Sequence, residues 1–132
     1  MKTVFVNGCF DVLHVGHIRL LEFAKSQGDL LIVALDTDEK VKKAKGHDRP
    51  YNALEVRKEV IESIKHVDLV LDFDSDDALI NLFNTLKPDV RVLGSDWQGK
   101  KIVGEDCIKD VKYFRRVDGY STTKILQNSP SR

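Results

Sequence analysis

The stretch LLIVAL, residues 30–35, is an unbroken apolar run. A strand with one wet face alternates apolar and polar side chains. A continuous run fits a strand buried on both faces, and such strands belong to parallel sheets covered by helices. The neighbouring segments follow the same plan. TVFVNG (3–8) is a short apolar, β-branched run closed by a turn former, a first strand. VGHIRLLEFAKSQGD (15–29) carries Ile18, Leu21, Phe23 and Ala24 on a helical period and stops at Gly28. NALEVRKEVIESIKH (52–66) repeats Val56, Val60, Ile61 and Ile64, a second helix. VDLVLDF (67–73) is a third strand, DDALINLFNTLKP (76–88) a helix closed by Pro88, and DVRVLG (89–94) a fourth strand. VKYFRRV (111–117) is a fifth strand, and STTKILQ (121–127) opens with hydroxyl residues suited to a helix N-cap.

Strand and helix alternate, which predicts an α/β fold: a doubly wound, parallel, five-stranded, Rossmann-like sheet. The 132 residues fit a single domain, 1–132, with a frayed tail at 128–132. Sheets of this kind bind ligands beyond the carboxyl ends of their strands. Those ends fall at residues 7–11, 36–38, 73–77, 94–96 and 115–119, the polar, glycine-bearing stretches of the chain.

Lys+Arg and Asp+Glu balance at 21 each, so the net charge is zero. That argues against binding nucleic acid or an anionic membrane, both of which draw on a basic surplus. No apolar stretch approaches the roughly 18 residues of a membrane span, and the N-terminus shows no signal pattern. Cys9 and Cys107 make no disulfide framework and read as free thiols in a reducing cytoplasm.

The chemistry concentrates in VNGCFDVLHVGHIRLL (6–21). It is not G-x-G-x-x-G, so a dinucleotide fingerprint is unsupported. It still has the parts of an anion site: a glycine ending a strand, a tight loop, and a helix N-terminus with free N–H groups. Gly8, Cys9, Phe10 and Gly16 supply the loop and helix start, and His14 and His17 add two imidazoles. Imidazole can hydrogen-bond phosphate oxygens and stabilise charge that builds during phosphoryl transfer. The alternative is that both are capping or core histidines. Zinc, with Cys9 as a third ligand, lacks the second ligand cluster such sites need.

Four further groups sit near strand ends. KVKKAKGHDRP (40–50) carries five basic residues besides its histidine, with Gly46 and Pro50 as breakers. It reads as a solvated loop, or as a mobile flap bringing lysines to an anionic substrate. Arg57 follows on the next helix, where a surface ion pair is the plain reading. In GSDWQGKK (94–101), Asp96 could accept from a ribose hydroxyl or a base amino group, and Trp97 could stack on a ligand or wedge into the core. In RRVDGYSTTKI (115–125), Ser121, Thr122 and Thr123 present hydroxyls and amides together at a helix start, with Arg116 nearby.

These residues resemble the cytidylyltransferase-like nucleotidyltransferase family over about residues 3–126. GCFDVLHVGH looks like its H-x-G-H signature and DGYSTTKI its second signature. KGHDRP through VDLVLDF is similar to the adenylyltransferase domains of ADP-heptose synthases; GSDWQGK and RRVDGYSTTKI are similar to glycerol-3-phosphate cytidylyltransferases. The resemblance implies transfer of a nucleoside monophosphate from CTP or ATP to a small phosphorylated acceptor, with release of pyrophosphate. The acceptor is a polyol phosphate or a sugar phosphate, and the product a precursor for a cell-surface polymer.

By the same resemblance His14 and His17 stabilise the α-phosphate. Gly8, Cys9, Phe10 and Gly16, with Ser121, Thr122 and Thr123, hold the other phosphates, and Arg116 binds the nucleotide. Lys42 or Lys45 bridges nucleotide and acceptor. Asp96 and Trp97 lie near the nucleoside. The acceptor side takes in Asp11, Asp36, Arg57 and Trp97, with Arg57 on the acceptor phosphate and Asp11 supporting the loop. Mg²⁺ comes bound through the NTP phosphates, with no protein metal site, and a cytoplasmic homodimer is expected. Two other readings use the same signature or fold: a coenzyme-forming adenylyltransferase of the FMN or phosphopantetheine type, and a non-catalytic nucleotide-binding domain.

Overall fold

The computed structural model describes residues 1–115. The elements run β1 (Thr3–Gly8), α1 (Val15–Ser26), β2 (Leu30–Asp36), α2 (Asp38–Lys45), α3 (Leu54–Glu62), β3 (Leu69–Phe73), α4 (Asp76–Leu86), β4 (Val90–Gly94) and β5 (Asp110–Phe114). A 3₁₀ turn, Ser95–Trp97, follows β4. The five strands form one sheet in the order β3-β2-β1-β4-β5. Every pairing is parallel, as the continuous apolar run in β2 requires.

Side chains alternate between two buried faces. Val4 and Val6 of β1, with Leu31, Val33 and Leu35 of β2, pack against Leu21 and Ala24 of α1 and Ile61 of α3. Phe5, Ile32 and Ala34 point the other way and meet Leu79 and Phe83 of α4. The Phe5 and Phe83 rings meet edge to face at 4.9 Å. Helices therefore cover both faces, and the strand order reverses between β1 and β4. That reversal is the topological switch point, where a crevice opens above the carboxyl ends of the strands.

Two sequence expectations change. Residues 40–45 are not a loop but most of α2. Asp38 and Glu39 in its first turn and Lys42, Lys43 and Lys45 in its last complement the helix dipole, and Val41 is its one buried anchor. Gly46 stops it with φ of +105°, a conformation open mainly to glycine. The second expected helix is shorter than its periodic pattern, ending as α3 at Glu62 before Ile64 and Val67 pack as a partly buried turn. The expected helix at 121–127 lies outside the described residues. Among the described residues, no helix is long and apolar enough to cross a membrane.

Candidate active site

β1 ends at Gly8 and the chain must turn sharply into α1. Phe10 adopts φ of +50°, the left-handed region that bulky residues rarely enter. Its ring is buried, and a Cβ on Gly8 would come within 3.0 Å of it, so glycine makes the turn possible. The Phe10 ring in turn lies 5.5 Å from that of His17.

The two histidines build the start of α1 themselves. His14 is the N-cap, and its Nδ1 accepts the N–H of Gly16 at 3.0 Å. His17 Nδ1 accepts the N–H of His14 at 3.2 Å. This is a capping box made of imidazoles. An Nδ1 that accepts a hydrogen bond carries no proton, so each ring's proton sits on Nε2. Capping thus draws on one nitrogen of each ring, Nδ1.

Both histidines line a cavity of about 310 Å³ at the switch point, with Gly8, Cys9, Phe10, Gly16, Asp96 and Trp97. The structure brings all of these predicted nucleotide-side residues together. Gly94 lets Asp96 fold back over the end of β4, since a Cβ there would meet the Asp96 carboxylate at 2.7 Å. Of the two flap lysines, Lys45 reaches this cavity and Lys42 does not; Lys42 is exposed on α2. Arg116, Ser121, Thr122 and Thr123 lie outside the described residues.

Arg57 is placed differently from the sequence expectation. It is 1 % exposed, not offered to a phosphate. Its Nε donates to the Asn52 carbonyl at 3.0 Å, and its Nη1 to the carbonyls of Cys9 at 3.0 Å and Asp36 at 2.8 Å. Its Nη2 pairs with the Asp38 carboxylate at 2.7 Å. One guanidinium therefore ties the loop after β1, the end of β2 and the start of α2 together. Asp11 works alongside it: its carboxylate accepts from the N–H groups of Tyr51 at 2.6 Å and Asn52 at 2.8 Å.

A second cavity of about 370 Å³ adjoins the first and shares Asn7, Gly8, Cys9, Lys45, Leu93 and Trp97 with it. Asp36 lines it, 3.7 Å from Lys40, which also reaches Asp76 at 3.5 Å. Burial pushes the Asp36 carboxyl up, against the pull of Lys40, Lys45 and Arg57. Burial likewise pushes the Cys9 thiol up, opposed by Lys45 and Arg57, so its sulfur is a poor nucleophile.

Sequence reasoning passed over two arginines. Arg49 lines the first cavity, with its guanidinium 4.8 Å from the Tyr51 ring; its place in the basic cluster before Pro50 was the available signal. Arg91 lines the second cavity. Its signal was a charge inside the otherwise apolar strand DVRVLG.

The family model described as cytidylyltransferase-like matches residues 5–128. Bifunctional protein HldE of Campylobacter fetus subsp. fetus is 50% identical over 123 residues, covering 93% of this chain and 27% of that protein. Bifunctional protein HldE of Campylobacter concisus is 47% identical over 126 residues, covering 96% and 26%. The chain thus spans about a quarter of the length of these curated relatives. The lipopolysaccharide core biosynthesis protein of Thermoplasma volcanium superposes with a TM-score of 0.74 at 26% identity, covering 89% of this chain and 99% of that one. Pantothenate synthetase of Thermus thermophilus, at 17% identity and a TM-score of 0.68 over 99% of this chain and 63% of its own, shares the fold alone. The H-x-G-H turn, the switch-point crevice it faces and a match running through nearly all of the sequence lead to one assignment: this chain belongs to the cytidylyltransferase-like family of nucleotidyltransferases.

Proposed function

We propose that the chain transfers AMP from ATP to a sugar 1-phosphate of the heptose type, releasing pyrophosphate and forming a nucleotide-activated precursor for a cell-surface polymer. The observation that carries the reading is the imidazole capping box at the switch point. It fixes two Nε2–H donors at a helix N-terminus, in a cavity that Lys45 also enters. The choice of ATP and a heptose phosphate is supported by the KGHDRP resemblance and by the half-identical HldE relative.

The acceptor phosphate attacks the α-phosphorus in line. The bond to the β-phosphate breaks, and pyrophosphate leaves with the electron pair. No covalent chemistry is asked of the protein, so catalysis is positioning and charge neutralisation. His14 and His17 stabilise the charge on the α-phosphate oxygens, and the Gly8, Cys9 and Phe10 backbone with Gly16 cradles the phosphates. Ser121, Thr122, Thr123 and Arg116 complete the nucleotide side. Lys45 bridges nucleotide and acceptor; Asp96 and Trp97 flank the nucleoside.

Mg²⁺ fits as an ion carried by the triphosphate, neutralising its oxygens. Both Asp11 oxygens are occupied by backbone N–H groups, and no group of three or more metal-ligating side chains forms among the described residues. A cytoplasmic homodimer is part of the same proposal.

A pyrophosphate-release assay pairing each NTP with sugar and polyol phosphates tests it. Turnover is expected with ATP and a heptose 1-phosphate. Turnover only with CTP and glycerol 3-phosphate would move the assignment to the polyol branch. NTP binding with no turnover on any pair would leave a nucleotide-binding domain.

A further inference from the structure

Side chains alternate along a strand, so residues two apart share a face. Asn7 therefore lies on the same face of β1 as Phe5, and the parallel register sets Arg91 of β4 beside Phe5 on that face. Arg91 stands where the strand pattern calls for an apolar residue, and it is 2 % exposed. Its guanidinium stacks 4.8 Å from the Phe83 ring. Its Nη1 donates to the Val103 carbonyl at 2.6 Å, which fastens the segment between the 3₁₀ turn and β5. Its Nη2 donates to Asn7 Oδ1 at 3.0 Å. No ion pair reaches it from a carboxylate among the described residues, although other lysines and arginines of the domain have such partners. A buried cation without a counter-ion is costly, and anchoring one carbonyl needs no charge.

The contact with Asn7 gives that charge an outlet. A guanidinium has donors only, so the amide atom it faces is the oxygen. Nδ2 and its two hydrogens then turn away from Arg91, and they have no hydrogen-bond partner among the described residues. Asn7 lines the cavity of His14, His17 and Lys45 at the carboxyl end of β1, directly before Gly8. A hydrogen bond from a cation to Oδ1 also draws electron density out of the amide, which makes its N–H groups stronger donors. We propose that Asn7 is a fixed amide donor to an oxygen of the transferred phosphoryl group, and that Arg91 is the positioning residue that orients and polarises it. The proposal rests on the nucleotidyl-transfer reading above. A donor already aimed and polarised needs no reorganisation when charge builds on that oxygen. Arg91 touches no substrate in this arrangement; its charge acts through the amide.

The test uses the full chain. Asn7→Asp removes the donor and hands Arg91 a carboxylate, so activity and stability should part. Pyrophosphate release is expected to fall about 10²-fold or more, while the thermal midpoint holds or rises. Activity within about threefold of wild type would overturn the proposal, as would activity and midpoint falling together. Asn7→Ala should lower kcat by about 10²-fold and change the ATP KM by less than about threefold; a loss confined to KM would overturn the role in transfer. Arg91→Lys examines the positioning role. It should cost about tenfold or more in kcat on its own and less than about twofold in the Asn7→Ala background. Equal costs in both backgrounds would overturn that role. If Arg91→Lys does not fold, the Asn7 variants decide. Wild-type protein without pyrophosphate release on any pair of NTP and acceptor would defeat the transfer reading separately. Calorimetric titration with ATP and Mg²⁺ then judges the amide. Binding weakened about tenfold or more in Asn7→Asp sustains the donor, and unchanged binding, or none by wild type, ends it.

Discussion

His17 Nδ1 accepts the backbone N–H of His14 at 3.2 Å, so one histidine holds the turn from which the other projects into the crevice. The spacing of three is the spacing of a capping box, and it also brings the two rings to 4.0 Å between centroids. One arrangement builds the helix start and, on the proposed reading, the anion site.

Removing His17 should separate those roles. His17→Ala is expected to cut kcat by about 10²–10³ while NTP affinity changes far less, because the donor acts on charge that develops in the transition state. The lost cap should cost about 1 kcal/mol of stability. Steady-state kinetics and thermal unfolding of the same variant check both. Equal losses in binding and turnover would remove the transition-state role.

The two flap lysines should behave unequally. Lys45 lines both cavities, whereas Lys42 lies exposed on α2 and lines neither. Lys45→Ala should lower kcat/KM by about 10² or more, and Lys42→Ala by less than about threefold. The reverse order would mean that α2 turns before chemistry.

Arg57→Met is expected to act on the fold. It would leave the Asp38 carboxylate and the carbonyls of Cys9, Asp36 and Asn52 without their shared donor. Asp38 is 38 % exposed and keeps the Leu54 N–H, so the loss comes mainly from the buried carbonyls left unpaired, about 1–3 kcal/mol. Denaturant unfolding measures it. Unchanged stability with a raised acceptor KM would return Arg57 to the phosphate.

Asp36 gives a pH signature. Its folded pKa lies above the unfolded one because burial disfavours the ionised form. The folded state therefore binds its proton more tightly, and stability from this group is present at low pH and lost as pH rises through the raised value. Asp36→Asn should gain stability relative to wild type as pH climbs from about 4 toward neutrality. A difference that is flat with pH would exclude the burial cause.

Thiol labelling probes the loop independently of turnover. Cys107 is exposed, whereas Cys9 is half-buried with its thiol pushed up. Iodoacetamide should modify Cys107 first, and ATP with Mg²⁺ should slow Cys9 further. Mass spectrometry of timed samples reads both sites, and faster labelling of Cys9 would contradict the burial described.

Much of the domain could be read from local pattern. The run at residues 30–35, the alternation of strand and helix and the H-x-G-H turn depend on neighbours in sequence, and they determined a parallel sheet with two histidines at the start of the helix after its first strand. The charged stretch at residues 40–45 misled because its helix rests on dipole complementarity and a single buried valine, not on an apolar stripe. What needed the tertiary structure was the fate of each cation. Lys42, Lys45, Arg57 and Arg91 look alike in sequence, yet one is solvated, one reaches the crevice, one fastens the loop and one lies buried with no carboxylate partner among the described residues. A charge takes its role from burial and from the partners that distant segments bring, and only the packed fold supplies those.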